Sequence, residues 1–174
     1  VEFRCGGRAL GQLREWRDAF QATNRVLSVS ALELAPAIER LQGENKTLGR
    51  TVRTLQEQLA GHVAADLVTT GARVAGRVIV AQALEGWEAG GLKAIAAAIA
   101  ATPGGCAAVF STSQPALAVI ARAPDVPVDA SAVLKALIAR FGGKGGGKPD
   151  LAQGGGLTGD LGEIVAAARI ALTS

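Results

Sequence analysis

The chain has no methionine and no tyrosine, a single histidine, two cysteines, and aromatic residues at only 3% of its 174 positions. Each scarcity excludes something. One histidine, His62, cannot form the paired imidazoles of a histidine metal centre, and it has no acidic or thiol cluster at ligand spacing beside it. It reads as a solvated residue at the end of a helix. Cys5 and Cys106 stand far apart and form no CxxC pair, so neither a zinc ribbon nor a disulfide framework is encoded. Both are expected to be free thiols in a reducing, cytoplasmic setting. No apolar run approaches the roughly eighteen residues of a membrane span, and no basic-then-apolar leader is present, so no membrane partner is expected. The net charge of +3 is small and its signs are interspersed, so any nucleic-acid contact must be local. A chain that begins VEFRC and lacks methionine is expected to be a piece of a longer protein.

What remains is aliphatic. With 49% hydrophobic and 19% charged residues the chain can bury a core, built from Ala, Val, Leu and Ile. VEFRCGG alternates briefly and reads as the last strand of an upstream domain. Ala9, Leu13, Trp16 and Phe20 then recur at helical spacing, which predicts an amphipathic helix from about Ala9 to about Asn24 with Trp16 in the core. Ser30 and Glu33 form a capping box for a second helix that tolerates Pro36 early. From Ile38 the series Leu41, Asn45, Leu48, Val52, Leu55, Leu59 alternates threes and fours, the seam of a short coiled coil with a polar residue fixing register at Asn45. Its partner is either the preceding helix, as an antiparallel hairpin, or a second chain, as a homodimer.

Past Gly61 the composition turns to Ala, Val and Gly, marking a boundary within residues 61 to 75. RVIVAQAL (77 to 84), CAAVFST (106 to 112) and LAVIARA (117 to 123) read as strands, the last two joined as a hairpin through STSQPA. GGLKAIAAAIAATPGG (90 to 105) carries a helix, AVLKALIARF another capped by Asp129 or Ser131, and Asp160 with Glu163 starts a closing helix. The expected architecture is α/β (α+β): 1–8 as the end of an upstream domain, 9–72 as a helical hairpin or coiled-coil arm, and 73–174 as a small mixed-sheet domain with flanking helices.

FGGKGGGKPDLAQGGG, residues 141 to 156, holds eight glycines. Glycine at that density loses much conformational entropy on ordering, so the stretch needs a compensating use. One use is close approach to an anion, with successive backbone N–H groups as donors and Lys144 and Lys148 as charges. The other is packing against another backbone. A flexible linker has no use for Pro149, Asp150 and Gln153, which suggest a helix-type start between the two glycine clusters. The stretch is no triphosphatase loop, since Pro149 follows Lys148, and no dinucleotide fingerprint, since it follows a helix.

GGKGGGKPDLAQGGG, preceded by a strand, a helix and two strands, resembles the C-terminal domain of alanyl-tRNA synthetases, shared by long stand-alone alanyl-tRNA editing proteins. Shorter glycine motifs of related kind occur in the DHH-associated domain of phosphoesterases such as nanoRNases and RecJ-type exonucleases. The resemblance covers residues 77 to 174; VEFRCGGRAL resembles the end of an editing domain, in a form nearer to the stand-alone proteins. It implies a domain that binds the outer corner of tRNA, alanine tRNA above all, for aminoacylation or for hydrolysis of mischarged aminoacyl-tRNA. Carried onto this chain, the motif residues are Gly143, Lys144, Gly145, Gly146, Gly147, Lys148, Asp150 and Gln153, with Arg140 just upstream. Lys144 and Lys148 would neutralise phosphates, the glycines would allow approach, and Asp150 and Gln153 would tie the loop to its own backbone.

The resemblance implies that the family's editing metal, held by histidines and a cysteine and zinc by expectation, and the ATP of aminoacylation would belong to parent domains outside this chain, in which no cofactor site and no catalytic set is expected. Two alternatives remain: an oligomerisation module of the parent enzyme, and the nucleic-acid-binding half of a DHH-type phosphoesterase. Arg73, Arg77, Arg122 and Lys135 are further basic candidates for an RNA surface, and Trp87, in the turn EGWEAGG, is the candidate for stacking on a base.

Overall fold

The structure, a computed structural model, describes residues 6–173. The expected strand over VEFRC, the thiol of Cys5 and most of the expected 1–8 segment lie outside them. The chain divides into two compact units, Val1–Thr51 and Val52–Ser174.

In the first unit, α1 (Gly7–Leu27) extends the expected helix by two residues at its start and three at its end. It stops where Ser28 turns left-handed, at φ 52°, and donates its N–H to the Asn24 carbonyl. The capping box forms as read: the Glu33 carboxylate accepts from the Ser30 N–H at 3.1 Å and from its hydroxyl at 2.7 Å. A single 3-10 turn, Ala31–Glu33, then leads into α2 (Leu34–Thr70). Long helices stand where they were expected, yet α1 has no buried residue. Trp16, expected in the core, is 62% exposed, and Leu13 and Phe20 are exposed as well. The seam residues Ile38, Leu41 and Leu48 are exposed too.

In the second unit α2 runs past Gly61 to Thr70, because alanine-rich sequence is good helix whatever its surface. His62 accordingly lies inside the helix, exposed, rather than at its end. Six strands follow: β1 (Ala72–Val74), β2 (Arg77–Leu84), β3 (Gly105–Ser111), β4 (Ala116–Arg122), β5 (Lys144–Gly147) and β6 (Leu151–Leu157). They form one mixed sheet in the order β1-β2-β3-β4-β6-β5. Only β2 and β3 are parallel, so the chain between them must cross over, and it does so as α3 (Ala89–Ala100). The β3–β4 hairpin is antiparallel, as STSQPA predicted.

Alternation along the strands builds two layers. Val78, Val80, Ala107, Val109, Val119 and Ala121 face α3, whose Leu92, Ile95 and Ile99 are fully buried, and the end of α2 through Ala60, Ala64 and Leu67. Ile79, Ala108, Phe110, Ala118 and Ile120 face α4 (Ala130–Phe141) and α5 (Leu161–Thr173). Every residue of β3 is buried, as expected for a central strand covered on both faces. Of the two cap candidates, Asp129 serves: its Oδ1 accepts from the Ser131 and Ala132 N–H groups at 2.8 and 3.0 Å. Asp160 likewise caps α5 through the Glu163 N–H.

Candidate nucleic-acid interface

The glycine stretch is a β-hairpin at the edge of the sheet, and the helix-type start suggested at KPDLAQ is instead its turn, Lys148 to Asp150, and the first residues of β6. β5 pairs antiparallel with β6, Lys144 opposite Gly155 and Gly146 opposite Gln153, and β6 pairs with β4 on its other side. Lys148 donates its N–H to the Leu151 carbonyl at 2.9 Å and so closes the turn. Main chain then anchors it: Ala130 N–H reaches the Pro149 carbonyl, and Arg122 N–H the Asp150 carbonyl, both at 3.0 Å. The Arg122 guanidinium adds a bond to the Pro149 carbonyl at 3.2 Å. The tying role assigned to the Asp150 and Gln153 side chains is thus met by backbone and by Arg122.

Glycine is depleted in strands, which is why the hairpin was not legible as one. Its use here is close approach of backbone to backbone. Gly143 has φ +97°, and a Cβ there would stand 2.6 Å from the Gly155 carbonyl oxygen. At Gly145 a Cβ would meet the Gly154 Cα at 2.5 Å. Gly146, by contrast, has open space around it. All four residues of β5 are nonetheless exposed, because the strand is the sheet's edge. The two uses weighed for the stretch coexist: glycine permits the tight pairing, and the pairing presents bare main chain to solvent.

Pleating divides the motif between faces. Lys144, Gly146 and Gln153 share the face of Leu117 and Val119, the side covered by α3. Lys144 and Gln153 line a hollow of about 260 Å³ there, with Ala89 and Leu117. Lys148 and Asp150 are exposed in the turn. Arg140 lies on α4, in the opposite layer, with its guanidinium 3.9 Å from the Glu163 carboxylate and 4.9 Å above the Phe141 ring. The structure therefore gathers Lys144, Gly146 and Gln153, holds Lys148 at the tip, and sets Arg140 apart.

The remaining basic candidates divide in the same way. Arg77 donates to the Leu172 and Thr173 carbonyls at 3.4 and 3.3 Å, closing the C-terminus of α5, and Arg122 is committed to the turn. Arg73 and Lys135 are exposed. Trp87, the stacking candidate, is half-buried against the α3-side core. Cys106 is a buried free thiol whose pKa is raised, first by burial. Among the described residues no group of three or more His, Cys, Asp and Glu side chains could hold a metal, and no helix is long and apolar enough to cross a membrane. Two cations that bear on this face, Arg53 of α2 and Lys93 of α3, were not singled out from the sequence, since only the fold brings distant helices to one hollow.

Comparison with known proteins converges on this sheet. A family model described as the DHHA1 domain matches residues 75–173. An alanine–tRNA ligase of Magnetococcus marinus is 30% identical over 160 residues, and one of Thiobacillus denitrificans 31% over the same length. Each alignment takes in 90% of this chain but only 18% of the relative, so the chain spans less than a fifth of those ligases. Among solved structures, the crystal structure of the C-Ala domain from Aquifex aeolicus alanyl-tRNA synthetase matches with a TM-score of 0.53 and 25% identity. It covers 59% of this chain and 97% of that one. With a match that runs from β2 to the end of α5 and takes in the glycine hairpin, the chain belongs to the DHHA1 domain family.

Proposed function

We propose that this chain is the tRNA-holding end of an alanyl-tRNA synthetase or alanyl-tRNA editing protein. It docks tRNA, alanine tRNA in the first instance, so that parent domains outside the chain can aminoacylate it or hydrolyse mischarged aminoacyl-tRNA, and it performs no chemistry itself. ATP and zinc belong to those parent domains. One observation carries the reading: an exposed edge hairpin whose outer strand is nearly all glycine, with Lys144 and Lys148 at its start and its turn and neither in an ion pair among the described residues. A surface without side chains lets a bulky polyanion approach the backbone, and two ammonium groups then neutralise phosphates. Such contacts position RNA without identifying it.

The test is the salt dependence of tRNA binding. Replacing Lys144 and Lys148 together by alanine should flatten the slope of log affinity against log salt by roughly one to two units. A slope left unchanged removes the two lysines from the contact.

A second reading is supported by the exposed seam. Leu48, Val52, Leu55 and Leu59 lie on α2 at coiled-coil spacing and are exposed at 65, 40, 52 and 53%, which suits a homodimer formed along that helix. Sedimentation at micromolar concentration distinguishes the two readings, because a monomer there disposes of the dimer.

A further inference from the structure

The hollow beside Lys144 does not end at β5. It adjoins a second of about 320 Å³ that shares Ala89 and Gln153 with it and is lined by Arg53, Glu88, Gly90 and Lys93. Three elements distant in sequence thus each place a basic residue on these adjoining hollows: Arg53 from α2, Lys93 from α3 and Lys144 from β5. Among the described residues the only carboxylate lining them is Glu88. Arg53 engages Glu57 through Nε alone, at 3.0 Å, which leaves both of its Nη groups for another acceptor. Lys93 and Lys144 are in no ion pair among the described residues.

The floor is rigid. Gln56, buried at 8% exposure, donates to the Gly86 carbonyl at 2.7 Å and accepts from the Glu88 N–H at 3.4 Å, fixing the turn that opens α3. Glu88 supplies no side-chain cap to that helix. A Cβ on Gly90 would lie 4.0 Å from the Arg53 Nε and meet nothing nearer, so the guanidinium stands beside bare backbone at this point.

We infer that this groove grips a phosphodiester of an RNA backbone, with Arg53 and Lys93 extending the contact that begins at Lys144. The inference rests on the tRNA-docking reading and makes it specific: RNA leaves the hairpin along the α3-covered face of the sheet, away from α4 and Arg140. Guanidinium and ammonium groups placed around adjoining hollows suit a phosphate, whose oxygens accept from several donors at once.

The test uses the unaltered 174-residue chain and a transcript of alanine tRNA, with affinity measured across salt. Arg53→Gln and Lys93→Gln should each weaken binding several-fold and lower the salt slope by about one unit. Lys46→Gln, a change of equal charge elsewhere on α2, should leave the slope alone. Gly90→Asp is the sharper variant. A carboxylate in the first turn suits the helix, so the thermal midpoint should hold or rise, while RNA affinity should fall about tenfold or more from repulsion in the groove. If the Arg53, Lys93 and Gly90 variants bind like the parent while the Lys144 and Lys148 double variant does not, the groove is overturned and the docking reading stands. If the unaltered chain binds no tRNA, both fall.

Discussion

Two helices of this protein carry apolar residues at the same spacing and meet opposite fates. In α3, Leu92, Ile95 and Ile99 are wholly buried; in α1, Leu13, Trp16 and Phe20 are 58, 62 and 42% exposed. The difference does not lie in the helices' own patterns. α3 is the crossover between two parallel strands, so its ends are held at the sheet and its apolar face has nowhere else to go. α1 is joined to α2 through one short turn, and its apolar stripe is exposed. Helical periodicity states which residues share a face. It does not state what will cover that face.

Variants can break or sharpen that contrast. The largest effect is expected in the sheet core: Phe110→Ala, at a fully buried site between β3 and the α4–α5 layer, should cost about 3–5 kcal/mol in denaturant unfolding. Next comes Gly145→Ala. Its methyl group would press on the Gly154 Cα and the Gln153 carbonyl, so the hairpin must part at a cost of about 1–3 kcal/mol, read as faster amide exchange along β5. Asp129→Ala removes an acceptor for two N–H groups and should cost about 1–2 kcal/mol.

For Trp16→Ala a change within about 0.5 kcal/mol is expected in dilute solution, because the side chain covers no core. A larger loss that grows with protein concentration would show the stripe to be an interface. The smallest effect concerns pH. Hydrogen bonds from Ser30 lower the Glu33 pKa below its ordinary 4.5. A depressed carboxylate stabilises above its unfolded pKa, and that contribution fades as pH falls through the folded value. Circular dichroism should therefore show the start of α2 fraying only below about pH 4.5, and Glu33→Gln should abolish that acid-side step.

Local signals were legible wherever a residue type does one thing. Ser30 with Glu33, Asp129 and Asp160 cap helices because their oxygens satisfy first-turn N–H groups, and they do so whatever the tertiary context. The β-branched and aliphatic runs of β2, β3 and β4 were found within a residue of their ends. β1 was missed because three residues carry no period, and β5 because a strand of glycines has no side chains to alternate. The motif itself was conspicuous, and its residues were named, but their division between faces was not readable. Lys144 and Lys148 are four residues apart in sequence, yet one lines a hollow and the other tops a turn.

The sequence by itself determined the five helices, strands β2 to β4, the helix caps and the resemblance, since propensity, capping and motif are written in neighbouring residues. The tertiary structure alone decided that Arg53, Lys93 and Lys144 line adjoining hollows, that Arg140 lies in the opposite layer, and that the stripe of α1 is exposed. The reason is physical. Burial and convergence depend on which distant surfaces are brought together, and that follows from strand order and crossover, which no local pattern encodes.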